Sequence, residues 1–234
     1  MSAEVVERRF GDAAASAEAL AQDVAAALRE GLRCRARASM ILSGGRSPLA
    51  FLQALAQQPL EWAHVYISLV DERWVDPPSP DSNEHLLRQS LLSGAVAEAH
   101  FVPLKTAAAS PAEAIAERTR ALEALPRPFD AVVLGMGEDG HTASLFPDAT
   151  ATAAALDPGG KAVLTAVQPS AAEHPRLSFT LAGLLDARGL YLQIQGEAKH
   201  RVYEEARQHV TARLLPIAAV LRQTRVPVYV YLID

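Results

Sequence analysis

The chain carries a single cysteine, no long apolar run and no basic cluster, and each absence removes a class of protein. Cys34 has no partner for an internal disulfide, which fits a reducing compartment. Its neighbours Arg33 and Arg35 would lower a thiol pKa, but no redox or metal motif surrounds it, and it reads as incidental. No uninterrupted apolar stretch approaches the roughly 20 residues of a membrane span. The N-terminal MSAEVVERRFGD lacks the apolar core of a secretory signal. A soluble, cytoplasmic protein without a membrane partner is expected. The formal charge of −5 comes without a basic stripe, so no nucleic-acid partner is expected either. Seven dispersed histidines form neither HxxxH nor HExxH, which leaves no metal site. GxSxG and GxxxxGK[ST] are also missing, which argues against a serine-hydrolase elbow and a Walker loop.

What is present is ordinary core-forming material, half of it apolar and 21% charged. Asp12 reads as the cap of an alanine-rich helix, with Leu20, Val24 and Leu28 on one face and Gly31 as its stop. Strands are expected at Ser39–Leu42, Val65–Val70, His100–Leu104, Phe129–Leu134, Ala162–Val167, Leu190–Ile194 and Val226–Leu232. Helices are expected from Pro48 to near Gln57, up to Leu92, and over Pro111–Leu125, Glu197–Gln208 and Pro216–Gln223. Ser47 would cap the first of these, with Pro48 at its first position. The alternation implies an α/β fold, a mostly parallel sheet with helices on both faces, as a single domain over residues 1–234.

Four features carry chemistry. Phe129–Pro147, FDAVVLGMGEDGHTASLFP, reads as a buried strand running into a glycine turn, an acid, a histidine and a new helix. Asp139 and His141 are the nearby groups suited to proton transfer, just past a strand's carboxyl end. Gly135, Gly137 and Gly140 match GxGxxG, but the acid expected about 20 residues later has no clean counterpart, so a dinucleotide site is discounted. Ser43-Gly44-Gly45-Arg46-Ser47 sets amides, hydroxyls and a guanidinium at a helix start, a cradle for a phosphate monoester. Asp71-Glu72-Arg73 forms a polar turn at a strand end. It suits sugar hydroxyls and an anion, or a plain solvated ion pair. Arg176 and Lys199 each lie beside a strand end or helix start, within reach of an anionic ligand. Ser82-Asn83, after a proline-rich loop, is compatible with polar ligand contact but better suits helix capping.

LSGGRSP, VDERWV, PDSN, the GMGEDGHTASLFP block, RLSFTLAGLLDA and GEAKH occur in this order over nearly the whole chain. In this the chain resembles the 6-phosphogluconolactonase family, within a superfamily that includes glucosamine-6-phosphate deaminases and ribose-5-phosphate isomerases. The resemblance implies a modified Rossmann-like fold, no cofactor, and hydrolysis of 6-phosphogluconolactone in the pentose phosphate pathway. The deaminases carry a glutamate five residues after the matching histidine; here that position is Phe146. A same-fold deaminase or isomerase, or a non-catalytic sugar-phosphate sensor, is the alternative. In the lactonase reading His141 is the general base, since an imidazole titrates near neutrality, and Asp139 orients the ring or the water. Gly44, Gly45, Arg46 and Ser47 hold the 6-phosphate, with Arg73 and Lys199 as helpers. Amides near Gly137–Gly140, or Arg176, stabilise the oxyanion. A helix start at His141 would favour its neutral form, with Asp139 pulling the other way. A monomer or weak homodimer with a small sugar-phosphate substrate is expected.

Overall fold

The computed structural model describes residues 4–45, 48–170, 172–208 and 215–233. The chain begins with an edge strand, β1 (Val5–Phe10), that sequence reading passes over because Glu7, Arg8 and Arg9 break its apolar pattern. An edge strand tolerates such charges, which also discourage pairing with another chain. Asp12 then accepts the Ala15 amide at 2.8 Å and caps α1 (Ala13–Arg35). This helix does not stop at Gly31. It runs one turn further and ends at Ala36, in the left-handed region at φ 55°. Gly31 is a packing residue, since a Cβ there would lie 2.5 Å from the Asp130 carboxylate. Asp130 is buried, pairs with Arg35 at 2.5 Å and accepts the Ser39 amide at 2.9 Å. The Cys34 thiol is exposed and pushed up, first by its hydrogen bond to Glu30, which together with desolvation outweighs the lowering pull of Arg33.

The chain continues through β2 (Ala38–Leu42), α2 (Leu49–Ala56), β3 (Val65–Leu69), β4 (Asp71–Arg73), α3 (Asn83–Ser90), β5 (His100–Phe101) and α4 (Pro111–Ala121). It then forms β6 (Ala131–Leu134), α5 (Thr152–Ala155), β7 (Leu164–Val167), β8 (Arg176–Phe179) and α6 (Leu181–Leu184). The last elements are β9 (Leu190–Gln195), α7 (Glu197–Gln208), α8 (Pro216–Arg222) and β10 (Val228–Ile233). Pro48 is the N-cap of α2 and not its first helical residue. The strand expected over His100–Leu104 is reduced to two residues, and α4 gives way to a 3₁₀ turn after Ala121.

Among the described residues, seven parallel strands form one sheet in the order β1-β10-β9-β6-β2-β3-β5. All residues of β2 and of β6 are buried, as expected for central strands with both faces covered. The chain leaves β2 toward β3 on one side and returns at β6 on the other. The carboxyl ends of β2 and β6 therefore flank the switch point at which open α/β sheets bind ligands.

A second sheet, β4-β8-β7, is antiparallel and was not expected. Asp71-Glu72-Arg73 is accordingly a strand and not a turn. One residue, Val70, separates β3 in the large sheet from β4 in the small one. Val70 is fully buried, donates its amide to Leu42 O at 2.9 Å and accepts the Phe179 amide at 2.9 Å. Each of its backbone groups is thus bonded to a different sheet. Leu177 and Phe179 of β8 bury into the same apolar cluster as Leu42 and Val133.

Candidate active site

Two glycine turns meet at the switch point. After β2, Ser43 donates its amide to Val133 O at 2.9 Å and accepts the Gly135 amide on Oγ at 3.0 Å. Its hydroxyl therefore ties the two turns together. A side chain at Gly44 would overlap the Asn83 amide group, and Gly45 sits at φ 93°. The backbone needs glycine at both places, for closeness at one and for handedness at the other. Arg46 and Ser47, assigned to this cradle from the sequence, lie outside the described residues.

After β6, the Gly137 amide donates to His141 O at 2.9 Å and the Gly140 amide to Gly137 O at 3.0 Å. Both amides are committed within the turn. A Cβ on Gly137 would overlap His141 Nδ1 and Asp139 Oδ1, so this glycine makes room for the pair. His141 Nδ1 lies 2.6 Å from Asp139 Oδ1, and the His141 amide donates to the same oxygen at 3.1 Å. Burial pushes the Asp139 carboxyl up, but the hydrogen bonds from the His141 ring and amide outweigh it and hold the group below its ordinary value. An ionised carboxylate only accepts, so Nδ1 carries a proton, and in the neutral ring Nε2 is the nitrogen with the lone pair. No helix begins at His141. Residues 141–151 form turns and an isolated Thr142–Leu145 bridge, and α5 starts at Thr152, so no helix end acts on the imidazole.

The turn after His141 is anchored side chain by side chain. Thr142 Oγ1 donates to Gly135 O at 2.9 Å, Ser144 Oγ donates to Asp71 Oδ2 at 2.5 Å, and the Ser144 amide donates to Ser178 Oγ at 3.2 Å. Ala143 sits at φ 49°, in the region that disfavours any residue with a Cβ. The Phe146 ring lies over His141, centroids 4.4 Å apart at a 31° tilt, and Arg176 Cζ lies 5.3 Å from the Phe146 centroid.

Facing these turns are β4 and β8. Their register sets Arg73 directly opposite Arg176, a like-charge pairing that destabilises a bare ladder. Both guanidiniums have a buried Nε without a hydrogen-bond partner. Arg73 is drawn aside by a hydrogen bond to Asp81 O, and Arg176 by the Phe146 face. Burial lowers the Arg176 pKa, with Asp71 opposing the shift. Between Asp71 and Arg73 in the chain, Glu72 is fully buried and accepts the amides of Arg73, Asn83 and Glu84 at 2.8 Å each. It shares the start of α3 with Ser82, whose Oγ accepts the His85 amide at 3.1 Å as the expected cap. Asn83 Nδ2 in turn donates to Asp71 O at 2.9 Å.

These elements enclose a cleft of about 220 Å³. Of the residues singled out in the sequence, Ser43, Gly44, Gly45, Asp71, Arg73, Gly137, His141, Arg176 and Lys199 line it, while Asp139 supports His141 from outside the lining. Asn83, for which capping is the favoured reading and polar ligand contact the alternative, also lines the cleft, as does Gln193, which sequence reading missed. A polar residue within the apolar run LYLQIQ of β9 was the available signal. A larger hollow of about 550 Å³, lined by Arg29, Arg33 and Glu61 among others, contains none of these groups, so size does not mark the site. No group of three or more potential metal ligands occurs among the described residues.

A family model described as "Glucosamine-6-phosphate isomerases/6-phosphogluconolactonase" matches residues 11–229. A 6-phosphogluconolactonase of Rhizobium meliloti (strain 1021) is 41% identical over 222 residues, 95% of this chain and 96% of that protein. A 6-phosphogluconolactonase of Pseudomonas aeruginosa is 42% identical over 213 residues, 91% of this chain and 90% of the relative. The crystal structure of a 6-phosphogluconolactonase from Shewanella baltica OS155 superposes with a TM-score of 0.94 at 37% identity, covering 99% of this chain and 98% of that one.

Proposed function

The chain belongs to the glucosamine-6-phosphate isomerase/6-phosphogluconolactonase family and is a lactonase of that family, and from this premise we propose that it hydrolyses 6-phosphoglucono-1,5-lactone in the cytoplasm by a His141-activated water. The observation that carries this reading is the His141–Asp139 pair, with Nδ1 occupied by the carboxylate and His141 lining a cleft that also holds two arginines and a lysine.

Nε2 removes a proton from water as its oxygen bonds to the lactone carbonyl carbon. The tetrahedral oxyanion collapses by breaking the bond to the ring oxygen. That oxygen leaves with the proton held on Nε2, giving a free hydroxyl and the open-chain acid, which ionises to the carboxylate and releases its proton to solvent. The Gly137 and Gly140 amides are spent inside their turn, so Arg176, which like His141 contacts the Phe146 ring, is assigned to the oxyanion. Arg73 and Lys199, with the Gly44 and Gly45 backbone and the Ser43 hydroxyl, hold the 6-phosphate, whose binding positions the ring for attack. The opposed arginines thus each meet an anion, which relieves their mutual repulsion. The deaminase alternative lacks its glutamate, because Phe146 occupies that position.

Acid release from freshly made lactone, corrected for spontaneous hydrolysis, tests the reading. His141→Ala should lower kcat by about 100-fold or more with KM within about two-fold. Near-normal turnover in that variant removes His141 from the base role.

A further inference from the structure

We propose that Phe146 is a positioning residue whose ring fixes the His141 imidazole and the Arg176 guanidinium relative to each other. A single hydrogen bond at Nδ1 sets where the imidazole pivots but not the plane in which Nε2 points. The Phe146 ring, tilted 31° against His141 with centroids 4.4 Å apart, supplies that second constraint. Arg176 has the complementary need. Its Nε is buried without a partner, and the Phe146 face, 5.3 Å from Cζ, is what the guanidinium rests on.

The platform itself is held on both sides. Ser144 is pinned to Asp71 and Ser178, Leu145 is fully buried with its amide on Thr142 O at 3.0 Å, and the Phe146 carbonyl accepts the Ala149 amide at 3.2 Å. A ring on a fixed backbone, in contact with both a base and a cation, aligns one group from the turn after β6 with one from β8, in different sheets. The proposal rests on His141 as base and Arg176 as oxyanion group, and adds that their alignment depends on one aromatic face.

The test is a double-mutant cycle with kcat, KM and Tm measured on each variant. Phe146→Leu removes the ring but keeps apolar volume and should lower kcat roughly 10-fold, while Phe146→Tyr stays within about two-fold of the wild type. The double variant His141→Ala/Phe146→Leu should lose less than the product of the two single losses, because the part of the ring's effect that runs through the base is already gone while Arg176 still rests on the ring. Unchanged kcat in Phe146→Leu, a tyrosine as damaging as leucine, or losses that add in the double variant overturn the proposal. A lowered Tm with unchanged kcat does the same, since it marks a packing role. Near-normal turnover in His141→Ala instead overturns the base reading, and the two failures are told apart by that single variant. Should Phe146→Leu not fold, Phe146→Met carries the same comparison.

Discussion

Replacing Asp139 by asparagine isolates the charge behind His141 from its geometry. In the wild type Oδ1 accepts two donors, the ring Nδ1–H at 2.6 Å and the His141 amide at 3.1 Å. An asparagine that turned its NH₂ to this side would face both donors, so its carbonyl oxygen takes the place of Oδ1 and the ring keeps its tautomer. What is lost is the charge. A hydrogen bond to a charged group contributes about 1.5–3 kcal/mol and a neutral one about 0.5–1.5, a difference of about 1–2 kcal/mol. The Asp139 side chain is 47% exposed, so solvent screening favours the lower end of that range. At 1.36 kcal/mol per decade, kcat should fall about 5- to 10-fold, with KM unchanged. Initial rates of acid release over pH 6–8, less the spontaneous rate, measure this. The carboxyl is held below its ordinary value, so it stays ionised throughout that window and contributes no limb to the profile. A loss beyond about 100-fold would mean that the tautomer had been reversed. A loss under about two-fold would mean that Asp139 does not act through the ring. Either result refutes the reasoning.

Two further outcomes follow from buried contacts. Gly137→Ala places a methyl where His141 Nδ1 and Asp139 Oδ1 meet, so kcat should fall by about 100-fold or more while the circular-dichroism melt stays close to wild type; retained activity would show that the turn relaxes around the methyl. For Glu72, burial pushes the carboxyl up to about 7 although the Asn83, Glu84 and Arg73 amides pull it down. Its folded value lies above the ordinary 4.5, so folding takes up a proton. The associated stability is complete below about pH 4.5 and is lost as pH rises through about 7. Urea titrations at pH 5 and pH 8 should differ by about 2–3 kcal/mol on this account, and Glu72→Gln should flatten that difference; an unaltered pH slope would exclude Glu72 as its source.

The parts legible in the sequence were those whose causes are local. The apolar runs of β2 and β6 and the glycines after them announce buried strands and tight turns within a few residues, and Asp139 is two positions from its partner. The antiparallel pairing of β4 with β8 has no such local mark. Asp71-Glu72-Arg73 looks like a solvated turn until Arg176–Phe179, far along the chain, lies beside it. Gly31 was misread for the same reason, because the carboxylate that demands a glycine there belongs to Asp130. The helix expected after His141 failed through tertiary override: Thr142 and Ser144 spend their hydroxyls on Gly135 and Asp71, and the segment follows those anchors. β1 escaped because edge strands need no apolar alternation.

Val70 gives this arrangement a quality of measurement. The proposed base follows a strand of the large sheet and the opposed arginines stand on the small one, and Val70 joins the two frames, its buried amide and carbonyl each gripping a different one. Such a joint works like the locked pivot of a calliper. The opening between its jaws is set by the backbone, so on the proposed reading a ligand would be gauged by length before any chemistry begins. A sugar phosphate shorter or longer than the gauge meets one jaw and misses the other.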